Sequence, residues 1–488
     1  MKHADRFKRL RVGLLAVLVL SLGACKLGPD FQRPAAPAAD RYTADAAPTA
    51  GNAQHVALGA QVEGDWWSLF QSSDIDAVVH EAIAHNHTLA ASSAAVTRAQ
   101  ELAKAQAAQL WPQVGLTAGI GRQKYGGEFL GGFFNLPPFT YFAVGPVVNY
   151  TLDFNGGIAR GIEAQKAMAE VAHQQLNAAY LSVSGQAVLQ TLLVASVRAQ
   201  IATAQTILEQ DRQTLDLVRT AFDAGSVSKI DVVSAESQLA SDGSLLPSLH
   251  QDLDRAHHAL SVLVGRTPAA GLPADVDLNA LVLPTELPVS LPSELAHRRP
   301  DILAAEARLH AVTSALGVAE SNLYPKIQLT GTVGFQSNHA GELFDGSSVA
   351  WSALSGVTMP LIDGGALRAE QRAAVAAMQA TASTYRQTVL EAFAQVADML
   401  DALSHDAEEL AAQTEAQDAA QRNLDLARMA YHEGNAGILQ VLDAERLSQR
   451  ARLGFVRATG QRYIDTAQLF LALGGTPPQS PGLAAGRP

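Results

Sequence analysis

From Ala366 to Glu433 the chain contains neither proline nor glycine, and from Ile158 to Phe222 only Gly161 and Gly185 interrupt a similar run. Alanine with Leu, Val and Ile at intervals of three and four fills both runs, a pattern that predicts continuous helices. At about 1.5 Å per residue, helices of roughly 65 residues are on the order of 100 Å long. Ordinary globular helices span roughly 8 to 20 residues. Each run stops at a glycine-bearing tip, Gly225 or Gly434 to Gly437, where glycine suits the left-handed conformation of a helix C-cap. Each then returns as a second helix, ending near Gly265 or Gly474, and Pro247 is expected to kink the first of these.

The two helical hairpins belong to a longer duplication. Thr214 to Gly225 (TLDLVRTAFDAG) recurs as Asn423 to Gly434 (NLDLARMAYHEG), and Val232 to Glu236 recurs as Val441 to Glu445. Gly265-Arg266-Thr267-Pro268 returns as Gly474-Gly475-Thr476-Pro477, 209 positions on (474 minus 265). Leu110-Trp111-Pro112 is answered by Leu323-Tyr324-Pro325. This period is far too long for a solenoid repeat of roughly 20 to 50 residues, so two copies of a whole architecture are present.

Ahead of each helical hairpin the period changes to two. Val114, Leu116, Ala118 and Ile120 alternate with Gln113, Gly115, Thr117 and Gly119. Phe142, Val144, Val148, Tyr150 and Leu152 alternate with Ala143, Gly145, Asn149 and Thr151. The second copy sets Ile327, Leu329, Val333 and Phe335 against Gln328, Thr330, Thr332 and Gln336, and Val349, Trp351, Ala353 and Val357 against Ser352, Gly356 and Thr358. These are four strands with one apolar face and one small, polar face. Four strands cannot close a membrane barrel of roughly eight or more, and an open edge in lipid leaves N–H and C=O groups unpaired. A spanning sheet must therefore be completed by copies of the chain. Two chains would give eight strands and three would give twelve; the ring is required, but its number is not fixed.

The N-terminus carries Lys2, Arg6, Lys8, Arg9 and Arg11, then an apolar run from Val12 to Leu20, too short to span a bilayer and suited to a signal peptide. It leads into Leu22-Gly23-Ala24-Cys25, and Cys25 is the single cysteine of the 488 residues, so no intrachain disulfide forms. This segment resembles the lipobox of bacterial lipoproteins, which implies a covalent lipid on Cys25; the absence of Asp at position 26 resembles lipoproteins sent to the outer membrane. Lys26 to about Glu63 is rich in alanine and proline and reads as an extended tether. A net charge of −12 without a dense basic stripe argues against nucleic acid as a partner.

The chain resembles the TolC-like outer-membrane efflux factors, in their lipoprotein branch, over nearly its whole length from Cys25. Besides the lipobox and the duplication, the resemblance rests on Trp66-Trp67 with Asn86 and Leu89, and on Arg298-Arg299-Pro300-Asp301-Ile302 followed by Ala304-Ala305-Glu306. It rests also on Leu361 to Gly365, Tyr431-His432-Glu433-Gly434 and Leu442-Asp443-Ala444-Glu445-Arg446. It implies an α+β membrane protein: a homotrimer with a twelve-stranded outer-membrane β-barrel, four strands per chain, continued by a long periplasmic α-helical barrel. The expected layout is a signal peptide (1–24), a lipidated tether (25–65), a first repeat (66–268, with β-hairpin 113–154 and helical hairpin 157–265), a second repeat (269–477, with helix 301–324, β-hairpin 326–362 and helical hairpin 366–474) and a tail (478–488). The segments Tyr125 to Pro138 and Gln336 to Ser348 would be external loops.

The implied function is an outer-membrane duct of a tripartite efflux system for toxic compounds or drugs, working with a periplasmic adaptor and an inner-membrane transporter that supplies the energy. The resemblance places a periplasmic gate at Tyr431, Leu439, Asp443 and Arg446. Asp443 and Arg446 are three apart on one helix face, able to pair locally or across to a neighbour. The first copy has Phe222, Ser234 and Ser237 at the matching positions, so the gate is asymmetric, with Asp231 as an acidic contributor from that side. Gly225, Ser226, Val227, Gly434, Asn435 and Gly437 would form the tips that touch the adaptor.

No His-Glu-x-x-His, Gly-x-Ser-x-Gly or Gly-x-x-x-x-Gly-Lys motif points to catalysis, and no cofactor is expected beyond the lipid on Cys25. His80, His85 and His87 cluster loosely and His257-His258 are adjacent, poor spacing for metal ligation. A non-channel periplasmic scaffold lipoprotein has no use for four amphipathic strands. A passive porin does not account for the long helices.

Overall fold

The computed structural model describes residues 26–35, 39, 41–43, 54–60, 62, 64–126, 137–271 and 276–475. Cys25, the signal peptide and the tail lie outside them. In chain order the elements are β1 (His55–Leu58), α1 (Ser73–His85), α2 (His87–Ala107), β2 (Gln113–Gln123), β3 (Phe139–Leu152), α3 (Gly157–Asp223), α4 (Lys229–Gly243) and α5 (Leu245–Leu263). They continue with β4 (Glu286–Val289), α6 (Pro292–Leu295), α7 (Pro300–Ser321), β5 (Lys326–Ser337), β6 (Val349–Thr358), α8 (Ala366–His432) and α9 (Ile438–Leu473). Two compact units are distinguishable, one of Met1–Pro34, Ala95–Ala172 and Ala304–Tyr385, the other of Ala35–Ala94, His173–Leu303 and Arg386–Pro488.

The first unit holds a four-stranded sheet of order β2-β3-β5-β6, antiparallel throughout. Its register sets Val114 opposite Val148, Val144 opposite Phe335, and Val333 opposite Trp351, so the apolar sets of all four strands share one face. Leu116, Ile120 and Trp351 on that face are each more than 70% exposed. On the other face Thr330 donates to Asn149 Oδ1 (3.1 Å), and the Thr332 and Ser352 hydroxyls pair at 2.7 Å. Pro146, which has no N–H to give the ladder, sits inside β3. Beside it Gly145 and Gly334 face each other so closely that a Cβ on either would strike the other's backbone. β2 and β6 are the sheet's edges.

Both long helices are unbroken over 67 residues. Asp153 starts α3 by accepting from the Ile158 and Ala159 amides, and Asp363 starts α8 by accepting from Gly365 and Leu367. Gly161 and Gly185, weak breakers in the sequence, are places of close approach: a side chain there would meet Gln106 or Leu471. Windows of α3 and α7 are long and apolar enough to cross a membrane by composition, yet half of each is buried within the protein, as in a core helix. The first returning helix is broken at Ser244, between α4 and α5. The kink thus lies three residues before Pro247, which occupies the first turn of α5, where its missing N–H has no helical acceptor to lose.

The core of the second unit gathers Trp66, Trp67, Phe70, Ile75, Val78, Val79 and Phe470, all nearly fully buried. Trp66 packs on Phe470 at 5.5 Å between centroids, and Trp67 Nε1 donates to Asp76 (3.0 Å). Asn86 caps α2 through the Thr88 amide (2.8 Å) while its own amide donates to the Leu263 carbonyl. Arg299 of the Arg-Arg-Pro-Asp stretch grips Asp301 through two nitrogens (3.0 and 2.7 Å) and also donates to the Ala472 carbonyl and Gln395.

The expectation of an extended tether over 26–63 needs correction where these residues are described. β1 pairs in parallel with β4, and Gln54 is 1% exposed, bonded to the Pro284 carbonyl, Thr466 and Arg462. Residues 26–33 are likewise packed, within the first unit. Alanine and proline made this stretch look coreless; its attachments are backbone pairing and single polar side chains.

Candidate functional site at the helical tips

The two turns between outgoing and returning helices are built alike. After α3, Gly225 adopts φ +73° and the Ser226 amide reaches the Ala221 carbonyl (2.8 Å); after α8, Gly434 adopts φ +77° and the Asn435 amide reaches the Ala430 carbonyl (2.8 Å). Both are Schellman closures, whose left-handed residue favours glycine. The returning helices start alike as well. Asp231 accepts from the Ser228 amide and hydroxyl (2.7 Å each), and Gln440 accepts from the Gly437 amide (3.1 Å). Val227 packs on the apolar cluster of the tips, whereas Ser226 and Asn435 are exposed.

That cluster joins Leu215, Val218, Val232 and Ala235 of the first hairpin with Leu424, Ile438, Val441 and Ala444 of the second. Three of its members are repeat equivalents: Leu215 with Leu424, Val232 with Val441, and Ala235 with Ala444. Tyr431 packs against the cluster, while its counterpart Phe222 is partly exposed with the Lys229 ammonium over its ring at 5.7 Å.

Of the expected gate residues, the structure brings Asp443 and Arg446 together as a local pair at 2.9 Å, with side chains 72% and 53% exposed. Leu439 is half exposed, and its counterpart Ile230 is more exposed still. The expected role of Asp231 is modified: its carboxylate is buried and engaged in the cap of α4. Ser228-Lys229-Ile230-Asp231 carries the Ser-x-x-acid pattern of such a cap, which was legible in the sequence.

A polar network absent from the sequence reading lies just above. Arg219 pairs with Glu236 (2.8 Å) and, 209 positions on, Arg428 pairs with Glu445 (2.8 Å). The first pair is half exposed, whereas the Glu445 side chain is 7% exposed and also accepts from the Thr214 hydroxyl at 3.1 Å, linking the two hairpins. A turn higher, Gln449 donates to Asp211, and Gln238 donates to Asp242 (2.7 Å). Burial, with Gln449 opposing it and Asp242 and Glu445 adding to it, pushes the Asp211 carboxyl up to about 7. Burial and the adjacent Asp465 push Asp406 to about 7 as well. The 209-residue recurrence of the Arg/Glu pairs was the available signal for this network. Among the described residues no group of three or more His, Cys, Asp or Glu is placed to hold a metal ion.

The outer membrane efflux protein family model matches residues 78–266 and 291–475. The chain is 30% identical to outer membrane protein OprJ of Pseudomonas aeruginosa, over 95% of both chains. It is 25% identical to the probable outer membrane lipoprotein SilC of Salmonella typhimurium, over 96% of this chain and 99% of that one. Among solved structures it is similar to the outer-membrane channel OprN, at 27% identity with a TM-score of 0.83 over 92% of this chain and 99% of that one. It is also similar to the open state of the Neisseria gonorrhoeae MtrE outer membrane channel, at 25% identity with a TM-score of 0.79 over 93% and 99%.

Proposed function

The chain belongs to the outer membrane efflux protein family and is an outer-membrane efflux channel; from that premise we propose that three copies close a twelve-stranded barrel and that the helical hairpins form its periplasmic duct. The observation that carries this is the four-stranded sheet with one apolar, exposed face and two free edges, β2 and β6. Pairing β6 of one chain with β2 of the next leaves no backbone group open to lipid. The segments flanking these two edge strands are matched in chemistry: Leu110 and Trp111 precede β2, Met359, Leu361 and Ile362 follow β6, and all are exposed.

In this reading Cys25 carries the lipid anchor, the tips around Gly225, Ser226, Val227, Gly434, Asn435 and Gly437 meet a periplasmic adaptor, and an inner-membrane transporter delivers small toxic compounds. The gate is the tip region. Its apolar cluster and the Thr214–Glu445–Arg428 link hold the hairpins together, and Asp443 and Arg446 are available on the surface to a neighbouring chain. The test is twofold. Native mass spectrometry of the protein extracted from outer membranes should give a trimer, and a monomer or dimer sinks the barrel assignment. Asp443→Ala should raise single-channel conductance in planar bilayers, and a conductance equal to wild type removes Asp443 from the gate.

A further inference from the structure

Residues 26–33 lie in a cradle made largely of backbone. A Cβ on Gly156 would stand 2.8 Å from Lys26 Cα, and one on Gly317 would stand 2.8 Å from the Leu27 carbonyl oxygen. Gly28 itself, at φ +85°, approaches Gly317 so closely that a Cβ would lie 2.5 Å from its Cα. Gly156 and Gly317 thus leave the space this segment fills, and the positive φ at positions 28 and 156 favours glycine.

Arg160 locks the segment in place. It is 1% exposed, and its nitrogens donate to the Leu27 carbonyl (3.0 Å), the Gly28 carbonyl (3.1 Å), Asp30 (2.7 Å) and Glu163 (2.9 Å). The Leu27 amide donates to the Asn155 carbonyl (3.2 Å), Phe31 stacks on His310 at 4.5 Å, and Arg33 pairs with Glu306 (2.7 Å). The guanidinium's fork is matched to carbonyl and carboxylate acceptors, which an ammonium cannot reproduce. Among the described residues the second repeat shows no such cradle: a Cβ on Gly364 or Gly365 would meet nothing, and Leu361 and Ile362 are 85% and 96% exposed.

We propose that this glycine cradle is a docking site for the mature N-terminal segment, with Arg160 as its positioning residue, and that its occupation fixes the lipid anchor to the base of β3 so that anchor and sheet enter the membrane as one body. The proposal rests on the reading that Cys25 is lipidated. Asn155 and Gly156 lie between the end of β3 and the start of α3, and Lys26, the residue next to Cys25, sits against them. A slack tether would let the anchor reach the membrane without guiding the sheet; a clamped one restricts the sheet's approach.

The test uses the full chain expressed in outer membranes, comparing wild type with Arg160→Ala, Arg160→Lys, and two variants that change only residues of the segment itself, Gly28→Ala and Asp30→Ala. Exchange of the backbone amides within residues 26–33 should accelerate by about tenfold or more in Arg160→Ala, the loss expected for its charge-assisted bonds, and in Gly28→Ala, where the added Cβ collides with Gly317, and by less in Arg160→Lys and Asp30→Ala. The fraction of β2–β3 protected from external protease should fall in the same order, while palmitate incorporation at Cys25 stays at the wild-type level. Unchanged exchange in Gly28→Ala overturns the docking site. Faster exchange with full strand protection overturns the coupling. Absence of palmitate from the wild-type chain sinks the lipid reading alone and leaves the exchange result standing.

Discussion

Glu445→Ala is the sharpest probe of how the two hairpins are held together. The carboxylate is 7% exposed, accepts from Arg428 at 2.8 Å and accepts from the buried Thr214 hydroxyl of the other hairpin at 3.1 Å. Removing it strands the Thr214 hydroxyl, at a cost of about 1 to 3 kcal/mol. Arg428 is 44% exposed and regains water, so its lost ion pair adds at most about 1 kcal/mol. A total of about 2 kcal/mol moves the equilibrium between docked and separated hairpins by roughly thirtyfold. The duplication supplies the control. Glu236→Ala breaks the equivalent pair with Arg219, but both partners are about half exposed and no second hairpin is attached, so it should shift the equilibrium by less than about fivefold. Amide exchange of peptides spanning 211–218 and 438–449 in nanodiscs reads the equilibrium, and a double-mutant cycle with Thr214→Val isolates the cross-hairpin bond. Equal effects of Glu445→Ala and Glu236→Ala would refute the reasoning, as would a cycle with no coupling.

The Asp211 carboxyl titrates higher in the folded protein than its ordinary value, so its contribution to packing is complete below the usual Asp range and is lost as pH rises through about 7. Ionisation there adds charge beside Asp242 and Glu445. Exchange of 205–215, corrected for intrinsic rate, should therefore rise between pH 6 and 8 in wild type and stay level in Asp211→Asn; parallel profiles would dismiss Asp211 as the cause. In the sheet, Leu116→Arg puts charge on the apolar face at about 2 to 4 kcal/mol, whereas Thr117→Arg puts it on the polar face. Membrane-inserted protein should be strongly reduced by the first and little changed by the second, and equal yields would contradict the assignment of faces.

Much of the fold was legible because its signals are long and redundant. The run without Pro or Gly from Ala366 to Glu433 returns as a helix from Ala366 to His432, and the period-two segments return as four strands in which every alternating set keeps its face. The illegible parts depend on partners far away in sequence. Thr214 and Glu445 are 231 positions apart, and no local pattern marks Thr214 as the residue that makes Glu445 different from Glu236. The N-terminal segment was misread for a related reason. Composition measures what side chains can bury, but Lys26 to Arg33 is held through carbonyls, glycine contacts and one distant arginine. The break at Ser244 shows that Pro247 marked the right helix and the wrong residue, since proline is compatible with a first turn.

The facing pair Gly145 and Gly334 has a consequence for what the sheet can select. Both lie on the polar face, where Gly115, Gly119 and Gly356 also fall, and the Tyr141 ring lies across Gly121 in place of a side chain there. A wall with so little relief offers passing molecules few fixed points of contact. In the proposed barrel such a face would line the lumen and tolerate varied cargo shapes, leaving discrimination between compounds to other parts of their route. Conversely, a single bulky residue at an open position such as Gly119 or Gly356, where an added Cβ meets nothing, would turn a smooth conduit into a sieve without disturbing the ladder.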